Sequence, residues 1–256
     1  MRLAIAAAVL LILAATAPAS AQPARRPGAP VRAQDRFYAG VDFGVQSGGE
    51  SFSDAFTFPA NAETARIAAP YETKSGPLLG FFFDVRVWKY LSAGISFTGH
   101  APESDTQVTG TIPHPFFFNR PRSLSGDVSG LERGESGVHF QIRALLPVSR
   151  NPQVSVFGGP SFFQVDQDLA TGVHWTETYP YDSVSFTSAM TETRSESGTG
   201  FNIGADVGYF MSRHFGVGGR VQYASATVDF PSASGTGSVQ SKVGGLQAGG
   251  GLRVRF

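Results

Sequence analysis

The sequence predicts an all-β fold: an eight-stranded antiparallel up-and-down transmembrane β-barrel, with short turns at one end and four long loops at the other. Three observations point there. First, Val243 to Phe256 alternates. Leu246, Ala248, Gly250, Leu252, Val254 and Phe256 are apolar or small, while Gln247, Gly249, Gly251, Arg253 and Arg255 are polar or glycine. That period of two is a strand with one greasy and one wet face. Second, the same period returns in seven earlier stretches, each about nine to eleven residues long, the length that crosses a bilayer at a tilt of about 45°. Third, the chain holds 31 Gly and 22 Phe with only 16% charged residues. Glycine at that level disfavours long helices, and alternation hides membrane character from mean hydropathy.

Taken in order, Phe37, Ala39, Val41, Phe43 and Val45 share one face, with Tyr38, Gly40, Asp42 and Gly44 on the other. Residues 46–76 break the pattern and read as a long loop. Leu79, Phe81, Phe83, Val85 and Val87 alternate with Gly80, Phe82, Asp84, Arg86 and Trp88. A tight turn at Lys89-Tyr90 leads to Leu91, Ala93, Ile95 and Phe97. After a second long loop, Val138 to Leu146 alternates, and a short turn carries the chain into Val154 to Phe162. Residues 164–198 form a third, Thr/Ser-rich excursion. Phe201 to Tyr209 and Phe215 to Tyr223 alternate around a short turn at 211–214, and a fourth loop around 230–238 precedes the closing strand.

Past Tyr223 the polarity inverts: Ser225, Thr227 and Asp229 continue the outward phase, and Val228 and Phe230 the inward one. Gln164, Asp166 and Asp168 repeat the change after Phe162. Strand structure is therefore expected beyond the bilayer, to at least Val228 and from about Val239, with the bilayer boundary near Tyr223, Phe162 and Leu246. A soluble antiparallel barrel would present a surface dominated by glycine with scattered Asp and Arg, whereas an eight-stranded lumen needs small residues to relieve crowding.

An even strand count, alternating long and short connections and a terminal Phe256 preceded by apolar Leu252 and Val254 make the chain resemble bacterial outer-membrane β-barrels of the small OmpA/OmpX type. The resemblance covers nearly all of residues 37–256. It implies an envelope-stabilising, adhesive or surface-interaction protein. It also implies outer-membrane lipid and lipopolysaccharide as surroundings, and Leu252, Val254 and Phe256 as the signal read by the barrel-assembly machinery. A monomer is expected. One departure is the lack of an appended peptidoglycan-binding domain.

Residues 1–21 read as a signal peptide: Arg2, an apolar run from Leu3 to about Ala15, then Ala19-Ser20-Ala21 before the cleavage point. Residues 22–36 are Pro-rich, basic and aperiodic, a disordered periplasmic leader. With 20 Lys+Arg against 20 Asp+Glu, nothing points to nucleic acid. No cysteine is present, which excludes disulfides and thiolate metal sites.

The inward phase collects Asp42, Asp84 and Asp206 with Arg86, Arg143, Arg220, Arg253 and Arg255. Charges in a confined lumen should pair, because an unpaired buried charge costs several kcal/mol. Asp206 and Arg220, opposite each other across the 211–214 turn, are the expected pair. The cluster is expected to plug the lumen, with a narrow channel for small solutes or ions as the alternative and a lipid-modifying hydrolase further behind. No catalytic residue, metal or cofactor is expected: His139-Phe140-Gln141 is no His-x-Ser pair, and His174-Trp175-Thr176 lies in a loop. The second loop carries Phe116, Phe117 and Phe118, followed by Arg120 and Arg122. These phenylalanines are expected to pack against neighbouring loops and cap the barrel mouth. The sharper reading is a recognition site, with arginines for an anionic partner such as lipopolysaccharide or a host surface.

Overall fold

The computed structural model describes residues 35–48, 51–147, 152–233 and 237–256. The expected signal peptide lies outside these residues, as does all of the expected leader except Asp35 and Arg36. The strands are β1 (Phe37–Gln46), β2 (Phe52–Ala60), β3 (Glu63–Thr73), β4 (Gly76–Arg86), β5 (Leu91–His100), β6 (Glu103–Pro113), β7 (Pro121–Leu146), β8 (Pro152–Thr176), β9 (Ser185–Phe210), β10 (Phe215–Pro231) and β11 (Ser238–Arg255). Eight of them close a ring in the order β1-β4-β5-β7-β8-β9-β10-β11, every pairing antiparallel, with β11 returning to β1. All eight expected stretches are these strands. The barrel has no free edge, as a sheet in hydrocarbon requires.

Side-chain exposure follows the alternation. Phe43, Phe83, Phe97, Phe140, Ile142, Phe162, Ile203, Phe215, Leu246 and Leu252 are large, apolar and exposed. An apolar band around the outside of a closed barrel is a lipid-facing surface. The opposite phase, from Tyr38 to Arg253, is buried and polar.

The structure departs from the sequence reading at the long-loop end. Residues 46–76 are no open loop: they form the β2–β3 hairpin, and β6 with the first half of β7 forms a second hairpin beside it. Residues 164–198 lie almost wholly within β8 and β9, whose ladder runs out to Thr176 opposite Ser185. The fourth hairpin behaves as the polarity inversion expects, with β10 continuing to Pro231 and β11 starting at Ser238. What replaces the four loops is a hydrophobic core, set between the hairpins above the lipid-facing band. Phe52, Phe56, Ile67, Tyr71, Val108, Ile112, Leu124, Leu169, Val228 and Phe230 are buried together in it. Phe52 stacks between Tyr71 and Phe230, at ring centroid distances of 4.9 and 6.4 Å. Outside the bilayer, water surrounds the hairpins, so the apolar phase turns inward.

Two polar contacts fasten these hairpins to one another. Asp54 on β2 accepts from Ser232 Oγ at 2.7 Å and from the Ala233 amide at 2.8 Å at the tip of the fourth hairpin. The Tyr71 hydroxyl accepts from the Ala170 amide at 2.7 Å, tying β3 to β8 where the β8–β9 register shifts.

Candidate functional site: lumen and distal tip

The lumen is filled from the short-turn end upward. Asp206 on β9 accepts from the Tyr38 hydroxyl at 2.6 Å and from Arg253 Nε and Nη2 at 3.1 and 2.7 Å. Arg253 Nη2 also lies 2.7 Å from Asp42. Arg143 pairs with Asp84 at 2.8 Å, reaches towards Asp206 at 3.6 Å, and donates to Ser155 Oγ at 2.8 Å. Phe82 sits among the arginines, with the guanidinium carbons of Arg143, Arg253 and Arg220 at 4.9, 5.0 and 5.3 Å from its ring centroid. Three aspartates meet three arginines, so the cluster is neutral overall.

One expected pair is not made. Arg220 and Asp206 are cross-strand neighbours, as the turn at 211–214 requires, yet Asp206 bonds Arg253 instead. The reason is Gly218. It has no side chain, so Arg253 lies across β10 to reach Asp206; a Cβ at Gly218 would stand 2.8 Å from Arg253 Nε. Arg220 turns to the Phe157 ring, 4.2 Å from its centroid, and donates to Gln222 at 2.5 Å. Cation–π contact of this kind holds a guanidinium that no carboxylate reaches.

Above this cluster the lumen carries a neutral network. Gln141 donates to Asn202 at 2.9 Å, and Asn202 donates to Ser161 at 2.9 Å. His139 bridges Ser161 Oγ and Thr98 Oγ1 at 2.8 and 2.9 Å. A second ion pair closes the top: Arg133 donates to Glu135 at 2.7 Å and to Gln167 at 2.9 Å. Glu135 in turn accepts from Gln46 at 2.8 Å and from the Gly244 amide at 3.2 Å. Gly244 and Gly245, at φ 91° and 129°, bend β11 so that this amide faces inward, a conformation glycine adopts at little cost. A cavity of about 20 Å³ remains beside Asp42, Ser96 and Gln222, room for one or two water molecules.

Arg86 and Arg255 stand apart from this filling. Both line an open recess at the short-turn mouth. Arg255 stacks on Phe210 at 3.8 Å and lies 3.4 Å from Asp35. Sequence reasoning did not single out Arg133, Glu135, His139, Asn202 or Gln222 as lumen-fillers. Their signal was inward phase: beyond Gly137, Glu135 and Arg133 continue the inward phase of His139 on β7, within a segment read as loop.

The distal tip is built from three turns. Phe116, Phe117 and Phe118, between β6 and β7, are 70%, 55% and 73% exposed. They do not cap the mouth, because the buried hairpin core beneath already does. Tyr179, in the β8–β9 turn, is 85% exposed, and Phe116 meets Tyr181 edge-on at 5.5 Å. Arg122 is held inside the tip, whereas Arg120 stays at its surface. Arg122 is buried and bonds Glu177, the Tyr181 carbonyl and the Pro113 carbonyl at 2.5, 3.0 and 2.7 Å. Arg120 lies 3.5 Å from Asp182 and stands over the Phe117 ring at 5.5 Å. His114 Nδ1 accepts from the Phe116 and Phe117 amides, and Glu63 in the β2–β3 hairpin accepts from the Asn119 amide. Leu252 and Phe256 face outward on the closing strand, exposed in the apolar band.

The chain is similar to solved structures of outer-membrane proteins at low identity. The outer membrane protease OmpT from Escherichia coli superposes with a TM-score of 0.50 at 7% identity, covering 88% of this chain and 97% of its own. The outer membrane protein OprG from Pseudomonas aeruginosa gives a TM-score of 0.47 at 13% identity, covering 87% and 96%. The attachment invasion locus protein Ail of Yersinia pestis gives 0.34 at 8% identity, covering 85% and 99%. No curated protein sequence matches the chain. The closed eight-stranded ring and its apolar outer band agree with a match over residues 6–256 to the outer membrane protein beta-barrel domain, and the chain belongs to that family of outer-membrane barrels.

Proposed function

We propose that this protein is a plugged, non-enzymatic outer-membrane barrel, exported by its signal peptide, that acts through the β-structured region outside the cell in adhesion or surface interaction. One observation carries the reading. The aromatic side chains that remain unburied outside the bilayer, Phe116, Phe117, Phe118 and Tyr179, are gathered at the distal tip and held there by three hairpin turns. Exposed apolar clusters of this kind mark interaction surfaces. The lumen supports the same reading, because its aspartates pair with Arg143 and Arg253, Arg220 packs on Phe157, and Arg133 pairs with Glu135. The protease neighbour lends no activity at 7% identity. The His139–Ser161 pair is fully buried, with no route for a substrate to the hydroxyl.

The test compares cells displaying the wild-type protein with cells displaying F116S/F117S/F118S, at equal surface amounts of heat-modifiable barrel. Loss of adhesion to a host-cell monolayer with the barrel intact supports the reading. Equal adhesion in both overturns it.

A further inference from the structure

We infer that the distal tip docks on the lipid surface of an apposed membrane, and does so without electrostatic attraction; this rests on the surface-interaction reading above. Four facts of the tip lead there. Its exposed large apolar side chains are aromatic, with Phe116, Phe118 and Tyr179 at 70%, 73% and 85% exposure. Pro115 and Pro180 flank them. Each arginine of the turn is met by a carboxylate of the neighbouring turn, Arg120 by Asp182 and Arg122 by Glu177. The two pairs balance, so the β6–β7 and β8–β9 turns carry no net positive charge to draw a phosphate or an acidic glycan. The exposure pattern describes a projecting knob, not a groove, so the target must yield to it. A bilayer interface does, and Phe and Tyr favour that depth.

Position selects which membrane. Val138 on β7 sits opposite Phe162 at the top of the lipid-facing band, and β7 begins at Pro121. At about 3.3 Å per residue and a tilt near 45°, the tip stands on the order of 40 Å above its own bilayer. Its own outer membrane is out of reach. The three-turn clamp also means that docking orders little that is not already ordered, which removes a common cost of binding.

The experiment embeds the full-length barrel in nanodiscs and floats it with phosphatidylcholine vesicles at low and at 1 M NaCl. Co-flotation at both salt concentrations is expected, with empty nanodiscs left behind. F116S/F118S/Y179S should lower the bound fraction at least tenfold while keeping its heat-modifiable gel shift, and R120Q should bind as wild type does. A wild-type barrel that ignores phosphatidylcholine vesicles overturns the lipid assignment. So does binding that needs anionic lipid and disappears in 1 M NaCl, because the tip would then read charge. Neither result touches the surface-interaction reading, which stands or falls with the adhesion comparison.

Discussion

Replacing Asp206 with Ala removes the carboxylate on which the lower lumen converges. The Tyr38 hydroxyl at 2.6 Å and Arg253 through Nε and Nη2 at 3.1 and 2.7 Å all lose their acceptor. Hydrogen bonds to a charged group contribute about 1.5–3 kcal/mol each, and stripping one partner from a buried pair costs about 3–5 kcal/mol. Arg253 keeps Asp42 and Arg143 keeps Asp84, so the loss should fall within that range and not exceed it. Urea unfolding in lipid vesicles, followed by the fluorescence of Trp88 and Trp175, measures it. The cycle D206A, R253A and D206A/R253A should show a coupling of at least about 1.5 kcal/mol. The parallel cycle with R220A should show a smaller one, because no bond joins Arg220 to Asp206. A loss below about 1 kcal/mol, or coupling to Arg220 equal to that with Arg253, would refute the network as drawn.

Three further outcomes follow from the same coordinates. Phe157→Leu removes the ring beneath Arg220 and should cost about 0.5–2 kcal/mol beyond the lost apolar contact, read as a difference in urea midpoint that R220M largely abolishes. Ile67→Ala, at 2% exposure in the hairpin core, should cost that core about 2–5 kcal/mol; limited proteolysis should then cut the outer hairpins while the barrel keeps its gel shift. The Tyr71 hydroxyl is pushed up to about 12 by burial, above the ordinary tyrosine value. The folded state thus holds that proton more tightly than the unfolded chain. The stabilisation is complete below pH 10 and is lost as pH rises from about 10 towards 12. Protease resistance of the hairpins should fall across that window in the wild type, and a Y71F variant that shows the same fall would contradict the assignment.

The barrel strands were legible because lipid on one side and a packed polar lumen on the other impose opposite chemistry on neighbouring residues. Phe81, Phe83 and Val85 against Gly80 and Asp84 can be read only one way. β2 and β3 were not legible for the converse reason. Ala65, Ile67, Ala69 and Tyr71 do alternate with Arg66, Ala68 and Pro70, but the apolar phase faces a core that the hairpin shares with three others. A segment whose partner sheet is far away in sequence shows only half of its logic. The fourth hairpin was readable because β10 and β11 carry the inversion in one unbroken strand each. In the lumen, inward phase told which charges meet, whereas the partner choice depended on an absence. Gly218 opens the path for Arg253, and no count of charges reveals that. At the tip the sequence showed the aromatic cluster, and the sharper of its two readings gave Arg120 and Arg122 to an outside partner, because Glu177 and Asp182 are more than fifty residues away in the chain.

Single-channel recording tests most directly whether the lumen is closed. Purified barrel inserted into planar lipid bilayers should add no stable conductance steps at neutral pH. The balanced Asp42, Asp84, Asp206, Arg143, Arg220 and Arg253 cluster and the Arg133–Glu135 pair fill the lumen, and the cavity beside Asp42 and Arg220 measures about 20 Å³. Stable, reproducible openings from the folded protein would show a continuous path through those side chains and would contradict the closed barrel.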